Sequence, residues 1–477
     1  MSRRQIVYGW QDQPPFPIMV LAGCQHVLTL FGATTLVPLI FGPAMGMSTG
    51  QIALFISCVY LAMGVATLIQ THPALGSGLP IVQGSSFSFI PPVLTVIAAY
   101  KTAESGGDPG VIMPYIGGGL IAGGVVMAIV GYSGIVGLVR RFVTPVVIGP
   151  TIMAIGFSLA KVAVEMNAAK CWWVSLLVVG GIFVFTLFIR QKHLNIFAVL
   201  LSIVATYLLC LAASQAGWLE AGHPAYISLA PVEEAPWLRF PGIFPWGVPK
   251  FSFLAFGAML AGFFAVMIES IGDYHSCSYA AGLADPTPQM ISRGIGAEGV
   301  GCVLAGCLGA VGTTSYTENI GLIGLTGVAS VYVVRTGAVV LILLSCVGKL
   351  GALVATIPAP IIGGAYIALF GIIGALGIQI LMRADMGSQR NVMIVGFSFL
   401  MAMGLPGWVE GQKEAFFAVG LAGQILWALL KTPMAVAGLC AAFWDTLVPG
   451  TPEERGMAVQ PAAADPAAPS GSATGEA

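Results

Sequence analysis

The chain has 477 residues, 57% hydrophobic and 8% charged, with a formal net charge of −1 and a mean hydropathy of +0.92. A soluble domain carries about 25% charged residues, so this composition cannot cover a water-facing surface and predicts an all-α polytopic membrane protein. The near-neutral charge excludes nucleic acid as a partner.

In chain order, Met1 to Pro17 is polar and aromatic and lacks the apolar stretch of a cleaved signal; it reads as a cytoplasmic N-terminus. A spanning helix needs about 20 mainly apolar residues. Uninterrupted candidates cover 18–41, 50–71, 112–131, 142–163, 172–190, 194–216, 252–281, 293–311, 331–356, 358–378, 391–409 and 414–431. Two further segments, 80–99 and 313–329, open on an extended run of small hydroxyl residues and then turn helical. The runs are Gln83-Gly84-Ser85-Ser86-Phe87 and Thr313-Thr314-Ser315-Tyr316-Thr317. The loop 217–250, rich in Pro and Trp, is expected to carry a short interfacial helix, and the Ala/Pro/Gly/Ser-rich tail 449–477 to be disordered. The nine cysteines form neither a CxxC nor a Cys/His cluster, so no metal site, disulfide framework or cofactor is indicated.

Counting the interrupted segments gives fourteen spans, with both termini on one side. With those termini cytoplasmic, the inner segments hold Arg3, Arg4, Arg140, Arg141, Arg190, Lys192, Arg293, Arg335, Arg383, Arg390, Lys431 and Arg455. The outer ones hold Lys101, Lys161, Lys170, Arg239, Lys250, Lys349 and Lys413. Twelve against seven agrees with the positive-inside rule. The interrupted segments stand third in each set of seven, and an odd number of spans per half inverts the second half. That pattern predicts an inverted repeat with a binding site between the two breaks.

Ionisable residues at membrane depth are costly and mark transport paths. Glu269 and Asp273, four residues apart on one helix face, follow a long uncharged stretch. With them stand Gln25-His26 in span 1, Ser86-Phe87 at the break of span 3, and Thr317-Glu318-Asn319 at the break of span 10. A half-helix N-terminus and unpaired backbone groups at each break supply donors. Phe87 supplies a ring face. Glu269 and Glu318 supply acceptors, and Asn319 and Gln25 are placed to order them. A small heteroaromatic ligand fits this set better than a sugar or an amino acid. Plainer readings stand beside it: packing for His26 and Glu298, helix bonding for Asp273, an N-cap for Glu318, and snorkelling for Lys161, Glu165 and Lys349. No HExxH, GxSxG or aspartyl dyad points to an enzyme.

Glu318-Asn319-Ile320-Gly321-Leu322-Ile323-Gly324-Leu325-Thr326-Gly327 resembles the signature of the nucleobase–ascorbate transporters, also called nucleobase:cation symporter-2 or uracil/xanthine permeases. Gln25-His26, Gly84-Ser85-Ser86-Phe87 and Glu269 match the family's other motifs in order, and the resemblance covers about residues 15–430. It implies fourteen spans in two inverted repeats. A core domain would hold 18–137 and 252–356, a gate domain 138–251 and 357–448. It also implies elevator movement, commonly in a homodimer of the inner or plasma membrane. By resemblance, Glu269, Glu318, Phe87, Ser86, Thr317 and Asn319 bind the base, while Asp273, His26 and Gln25 belong to proton coupling. Glu318 is similar to the uracil carriers, where purine carriers have Gln and ascorbate carriers Pro. Asp273 is similar to the purine carriers, and Thr317 replaces a Gly of a uracil carrier. The expectation is a proton-coupled uracil importer, with xanthine or other purines as the alternative. An anion carrier of the same fold is disfavoured by the two acids.

Overall fold

The structure is a computed structural model that describes residues 6–101, 107–136, 144–165, 168–189, 195 and 197–457. Arg3, Arg4, Arg140, Arg141, Arg190, Lys192, the 137/138 domain boundary and the tail residues 458–477 lie outside the described residues.

The described chain is mostly helical. The helices are α1 Phe16–Met45, α2 Thr49–Gln70, α3 Ile90–Tyr100, α4 Pro109–Tyr132, α5 Pro145–Ser158, α6 Ala160–Val164, α7 Trp172–Phe183 and α8 Ala198–Gln215. They continue with α9 Ala230–Glu234, α10 Phe253–Ala280, α11 Pro288–Cys307, α12 Thr317–Thr326, α13 Val331–Ser345, α14 Gly348–Ala355 and α15 Ala359–Leu381. The last four are α16 Gln389–Gly411, α17 Lys413–Ala418, α18 Leu421–Leu430 and α19 Pro433–Leu447. Two strands, β1 Gln83–Ser85 and β2 Thr313–Ser315, and the short helical turns Phe87–Phe89, Ala168–Lys170 and Val184–Phe188 complete the set. Local chemistry sets several starts: Ser48 and Gln51 form a reciprocal capping box on α2, while Ser252 and Thr287 cap α10 and α11.

Among the described residues, eight helical segments are long and apolar enough to cross a membrane, or nine if the bent pair α18–α19 counts as one. Large apolar side chains stand exposed on them, including Leu208, Leu209, Met393, Leu400 and Trp408. Such a surface suits hydrocarbon, not water. The helices place the chain in the bilayer as a multi-pass protein. The last sequence-predicted span, 414–431, is corrected: it divides into α17 and α18, and α18 meets α19 at 94°. Pro433 sits at the start of α19, where it cannot donate to the preceding turn, so the chain bends there.

The two interrupted segments meet as expected. β1 and β2 pair antiparallel, with Gln83 opposite Ser315, Gly84 opposite Thr314 and Ser85 opposite Thr313. Three residues a side satisfy the backbone groups that the missing helix turns leave open. Gly84 is required by the crossing, since a Cβ there would lie 2.1 Å from the Tyr316 ring.

The helices pack as two groups. The first holds α1–α4 and α10–α14, the second α5–α8 and α15–α19, and α10 against α18 is the broadest contact between them. In the first group, α4 and α11 approach through facing glycines. A Cβ on Gly117 would meet Gly306 O at 3.0 Å, one on Gly124 would meet Gly299 O at 2.7 Å, and one on Gly131 would meet Gly296 N at 2.2 Å. The glycine clusters are therefore packing surfaces, as small residues commonly are between membrane helices.

The 217–250 loop changes groups partway. Ile227 N–H donates to Ser214 Oγ of α8 at 3.1 Å. From Val232 onward the loop rests on the first group: Lys349 Nζ donates to Val232 O at 2.7 Å, Trp246 Nε1 to Gly309 O at 3.0 Å, and Lys250 N–H to Pro114 O at 2.8 Å. Lys349 therefore anchors the loop and does not simply snorkel. The predicted interfacial helix of this loop is α9, five residues long.

Each end of the described chain fastens one group. Val7 N–H donates to Gly327 O at 2.9 Å and Val331 N–H to Trp10 O at 3.0 Å, tying the N-terminal segment across α12 and α13. Residues 449–457, expected to be disordered, are placed in the structure. Asn391 Nδ2 donates to Glu454 O at 2.7 Å, and Arg455 Nη2 pairs with Asp445 Oδ2 at 2.6 Å.

Candidate functional site

Beside the strand crossing lies a cavity of about 320 Å³ between the two helix groups. Glu269 and Asp273 of α10, Phe87 after β1, and Thr317 and Glu318 at the first turn of α12 border it on one side. Residues of α5 and α15 face them across the space, including Ile148, Leu376 and Gln379. It extends to Pro145 and Arg383, against which residue 456 packs, and so reaches the C-terminal segment.

Away from that segment, along α15, the two groups are joined by aromatic contacts. Tyr366 stacks on Phe370 with centroids 4.9 Å apart, and Phe370 meets Phe87 edge to face at 5.7 Å. The Tyr366 hydroxyl donates to Leu36 O of α1, bonding the two groups directly. Phe87 thus borders the cavity while packed near-perpendicular to Phe370.

The acids have different partners. Glu269 is half-buried, and its one recorded side-chain donor is Ser88 Oγ at 3.4 Å, a long contact that leaves acceptor capacity for a ligand. Glu318 is exposed to the cavity in the first turn of α12, where the helix dipole favours a carboxylate. Asp273 is buried and held by one hydroxyl on each oxygen: Ser315 Oγ donates to Oδ2 at 2.7 Å and Thr317 Oγ1 to Oδ1 at 2.9 Å. Of the residues bordering the cavity, Arg383 at its far end is the single cation, against three carboxylates. Like charges in a low-dielectric site repel strongly, so this arrangement favours protons or N–H donors and disfavours anions.

Other residues singled out from the sequence lie elsewhere. Ser86 does not border the cavity; its N–H donates to Gly312 O at 3.0 Å, and its Oγ accepts from Ser88 N–H at 3.2 Å. Asn319 orders neither glutamate. Its Nδ2 lies 3.0 Å from His26 Nδ1 and donates to His26 O at 3.0 Å, so it joins α1 to α12 behind the site. Its Oδ1 is buried without a partner. His26 is buried with Asn319 and shows no bond to Asp273, and Gln25 is half-buried and not at the cavity. The expected polar network is therefore two bonded sets that share only α12.

A fourth acid, read from the sequence as helix packing, has a fuller set of partners. Glu298 of α11 is 1% exposed. Ser270 Oγ donates to its Oε2 at 2.6 Å, and Tyr274 OH and Gln83 Nε2 donate to its Oε1 at 2.9 and 3.4 Å. Ser315 Oγ lies 3.2 Å from Ser270 Oγ and 2.7 Å from Asp273 Oδ2. Two serine hydroxyls therefore lie in line between the carboxylates of Glu298 and Asp273, and a continuous hydrogen-bonded chain forms when one of the two carboxyls is protonated and donates. The available sequence signal was an uncompensated Glu in an apolar span; its partners are remote in sequence and were not legible.

A family profile described as "Permease family" matches residues 17–411. The chain is 32% identical to solute carrier family 23 member 1 of Rattus norvegicus, over 95% of this chain and 82% of that protein. It is 30% identical to nucleobase-ascorbate transporter 12 of Arabidopsis thaliana, over 95% of this chain and 71% of that protein. Its fold is similar to the transmembrane domain of a cyanobacterium bicarbonate transporter, with TM-score 0.53 at 16% identity over 86% of this chain and 96% of that one. It is also similar to the murine solute carrier 26 family member A9 anion transporter in the inward-facing state, with TM-score 0.58 at 11% identity over 87% and 69%. At those identities the likeness speaks for fold alone. The profile match across most of the chain, with relatives above 30% identity along nearly its full length, shows that this protein is a membrane transporter, not an enzyme, and belongs to the nucleobase–ascorbate transporter family.

Proposed function

We propose that the protein is a proton-coupled symporter that imports a nucleobase, with uracil favoured and xanthine or other purines as the alternative. The observation that carries this reading is the placement of Glu269 and Glu318 on one cavity with Phe87. A neutral planar base presents ring N–H groups to two carboxylates and a π face to Phe87. Ascorbate and inorganic anions carry the wrong charge for that wall. The name of the plant relative couples nucleobase with ascorbate, and the acids select between them. Glu318 favours a pyrimidine by family resemblance, and Asp273 favours a purine.

Coupling requires an acid that gains and loses a proton as the site changes sides. Asp273 and Glu269 are assigned that part, with Glu298 joined to Asp273 through Ser270 and Ser315. His26 and Asn319 hold α1 against α12 and act on the site through the α12 backbone.

The first helix group is read as the substrate-carrying core and the second as the gate. The core moves against the gate as an elevator, and the fourteen crossings form two inverted halves. The paired breaks support the inverted repeat. The hydrogen bonds of the 217–250 loop support a gate-to-core boundary between 227 and 232 in place of the expected 251. With both terminal segments cytoplasmic, as the charge bias suggests, the cavity faces inward. A homodimer in the inner or plasma membrane completes the reading.

Uptake of labelled uracil into cells expressing the carrier tests it. Glu269→Gln removes one charge-assisted acceptor, a loss of about 1.5–3 kcal/mol, so apparent affinity falls about ten- to a hundredfold. Normal accumulation by that variant would refute the site. Collapsing the proton gradient is expected to abolish accumulation while leaving exchange of internal for external base intact; accumulation that persists would refute the coupling.

A further inference from the structure

Residues 451–457 run past the end of α19 and fold back on themselves. Arg455 N–H donates to Thr451 O at 3.0 Å and Met457 N–H to Pro452 O at 2.8 Å. Glu454 N–H donates to Thr451 Oγ1 at 3.2 Å, and Thr451 N–H to Glu454 Oε2 at 3.3 Å. This compact turn is fastened to four helix ends. Asp385 N–H, just beyond α15, donates to Glu454 O at 3.1 Å. Asn391 Nδ2 of α16 donates to the same oxygen at 2.7 Å, and Ser388 Oγ donates to the Glu454 carboxylate.

Asp445 of α19 is the hub. It is 2% exposed, and Arg390 Nη2 donates to Oδ1 at 2.8 Å. Arg455 donates to Oδ2 from Nη2 at 2.6 Å and from Nε at 3.1 Å. Thr144 Oγ1, at the start of α5, donates to Oδ2 at 3.0 Å. A buried carboxylate is tolerable only with partners of this kind. The opposite face of the turn touches the cavity wall. Gly456 has φ +73°, and a Cβ there would lie 2.7 Å from Arg383 O and 2.9 Å from Pro145 Cγ. Arg383 and Pro145 both border the cavity.

We propose that Asp445 and Arg455 are positioning residues for transport: they hold 451–457 as a strap that fixes Pro145 and Arg383, and so set the width of the cavity mouth on the face where substrate is released. Neither residue borders the cavity, and both act through the strap. The proposal rests on the transport reading above, since it takes the cavity as the substrate's route.

The experiment uses the full carrier in right-side-out and inside-out membrane vesicles, with labelled uracil. Arg455→Ala leaves Asp445 paired with Arg390, so the fold survives while the strap loosens. Gly456→Val keeps every charge and pushes on Arg383 directly. Both are expected to change KM several-fold on the face carrying the strap and to leave KM on the other face unchanged. Arg455→Lys is expected to restore part of the difference, and removal of 458–477 to change neither value. Without substrate, amide hydrogen exchange at 144–148 and 383–391 is expected to rise in Arg455→Ala. Equal KM changes on both faces, no change on either, or a loss confined to the amount of carrier would overturn the strap. If the wild type moves no nucleobase while exchange rises in the variant, the transport reading falls and the strap's hold on the wall stands.

Discussion

At the scale of single residues, the acids divide by what donates to them. Glu269 and Glu318 face the cavity with spare acceptor capacity, whereas Asp273 and Glu298 are enclosed by hydroxyl donors. On the proposed reading, the first pair binds ligand and the second pair serves proton coupling. This division predicts a separable phenotype. Glu298→Gln keeps the volume but removes the charge and one acceptor, so Ser270 and Tyr274 no longer both find an anionic partner. Proton-driven accumulation is expected to fall at least tenfold while nucleobase counterflow continues at near its normal rate. Equal loss in both assays would assign Glu298 to packing. The sequence made the cavity acids legible because charge is conspicuous in an apolar helix. It did not reveal that Asn319 bonds His26, or that Glu298 reaches Asp273 through Ser270 and Ser315, because those pairings depend on helices far apart in the chain.

At the scale of elements, the two breaks were legible from their small hydroxyl runs, and the β1–β2 register places them opposite one another. The last span was not legible. Its apolar run continues through Thr432-Pro433, and hydropathy does not report a 94° bend. The role of Asp445 was not legible either, since its two arginine partners come from α16 and the C-terminal segment. The α4–α11 contact carries its own prediction. Gly124 has no room for a side chain, with Gly299 O at 2.7 Å from its ideal Cβ. Gly124→Leu must separate the helices, and overpacking of this kind costs about 1–3 kcal/mol. The purified protein in detergent is expected to unfold several degrees lower, and an unchanged Tm would contradict the close α4–α11 contact.

At the scale of the whole molecule, two helix groups meet across a cavity. They are joined on one side by Tyr366, Phe370 and Phe87, and a terminal segment fastens each group. Each body is internally bonded, and between them run the packed α10–α18 contact, the rings of Phe87 and Phe370, and the Tyr366 hydroxyl bond to Leu36 O. The fold is shared with anion carriers, so architecture alone does not choose the cargo. The choice rests on the three carboxylates of the cavity. Competition against labelled uracil uptake, with unlabelled uracil, xanthine, other purines, ascorbate and bicarbonate, measures that choice directly. The account predicts that nucleobases compete and that ascorbate and bicarbonate do not; competition by either anion, with none from the bases, would contradict it.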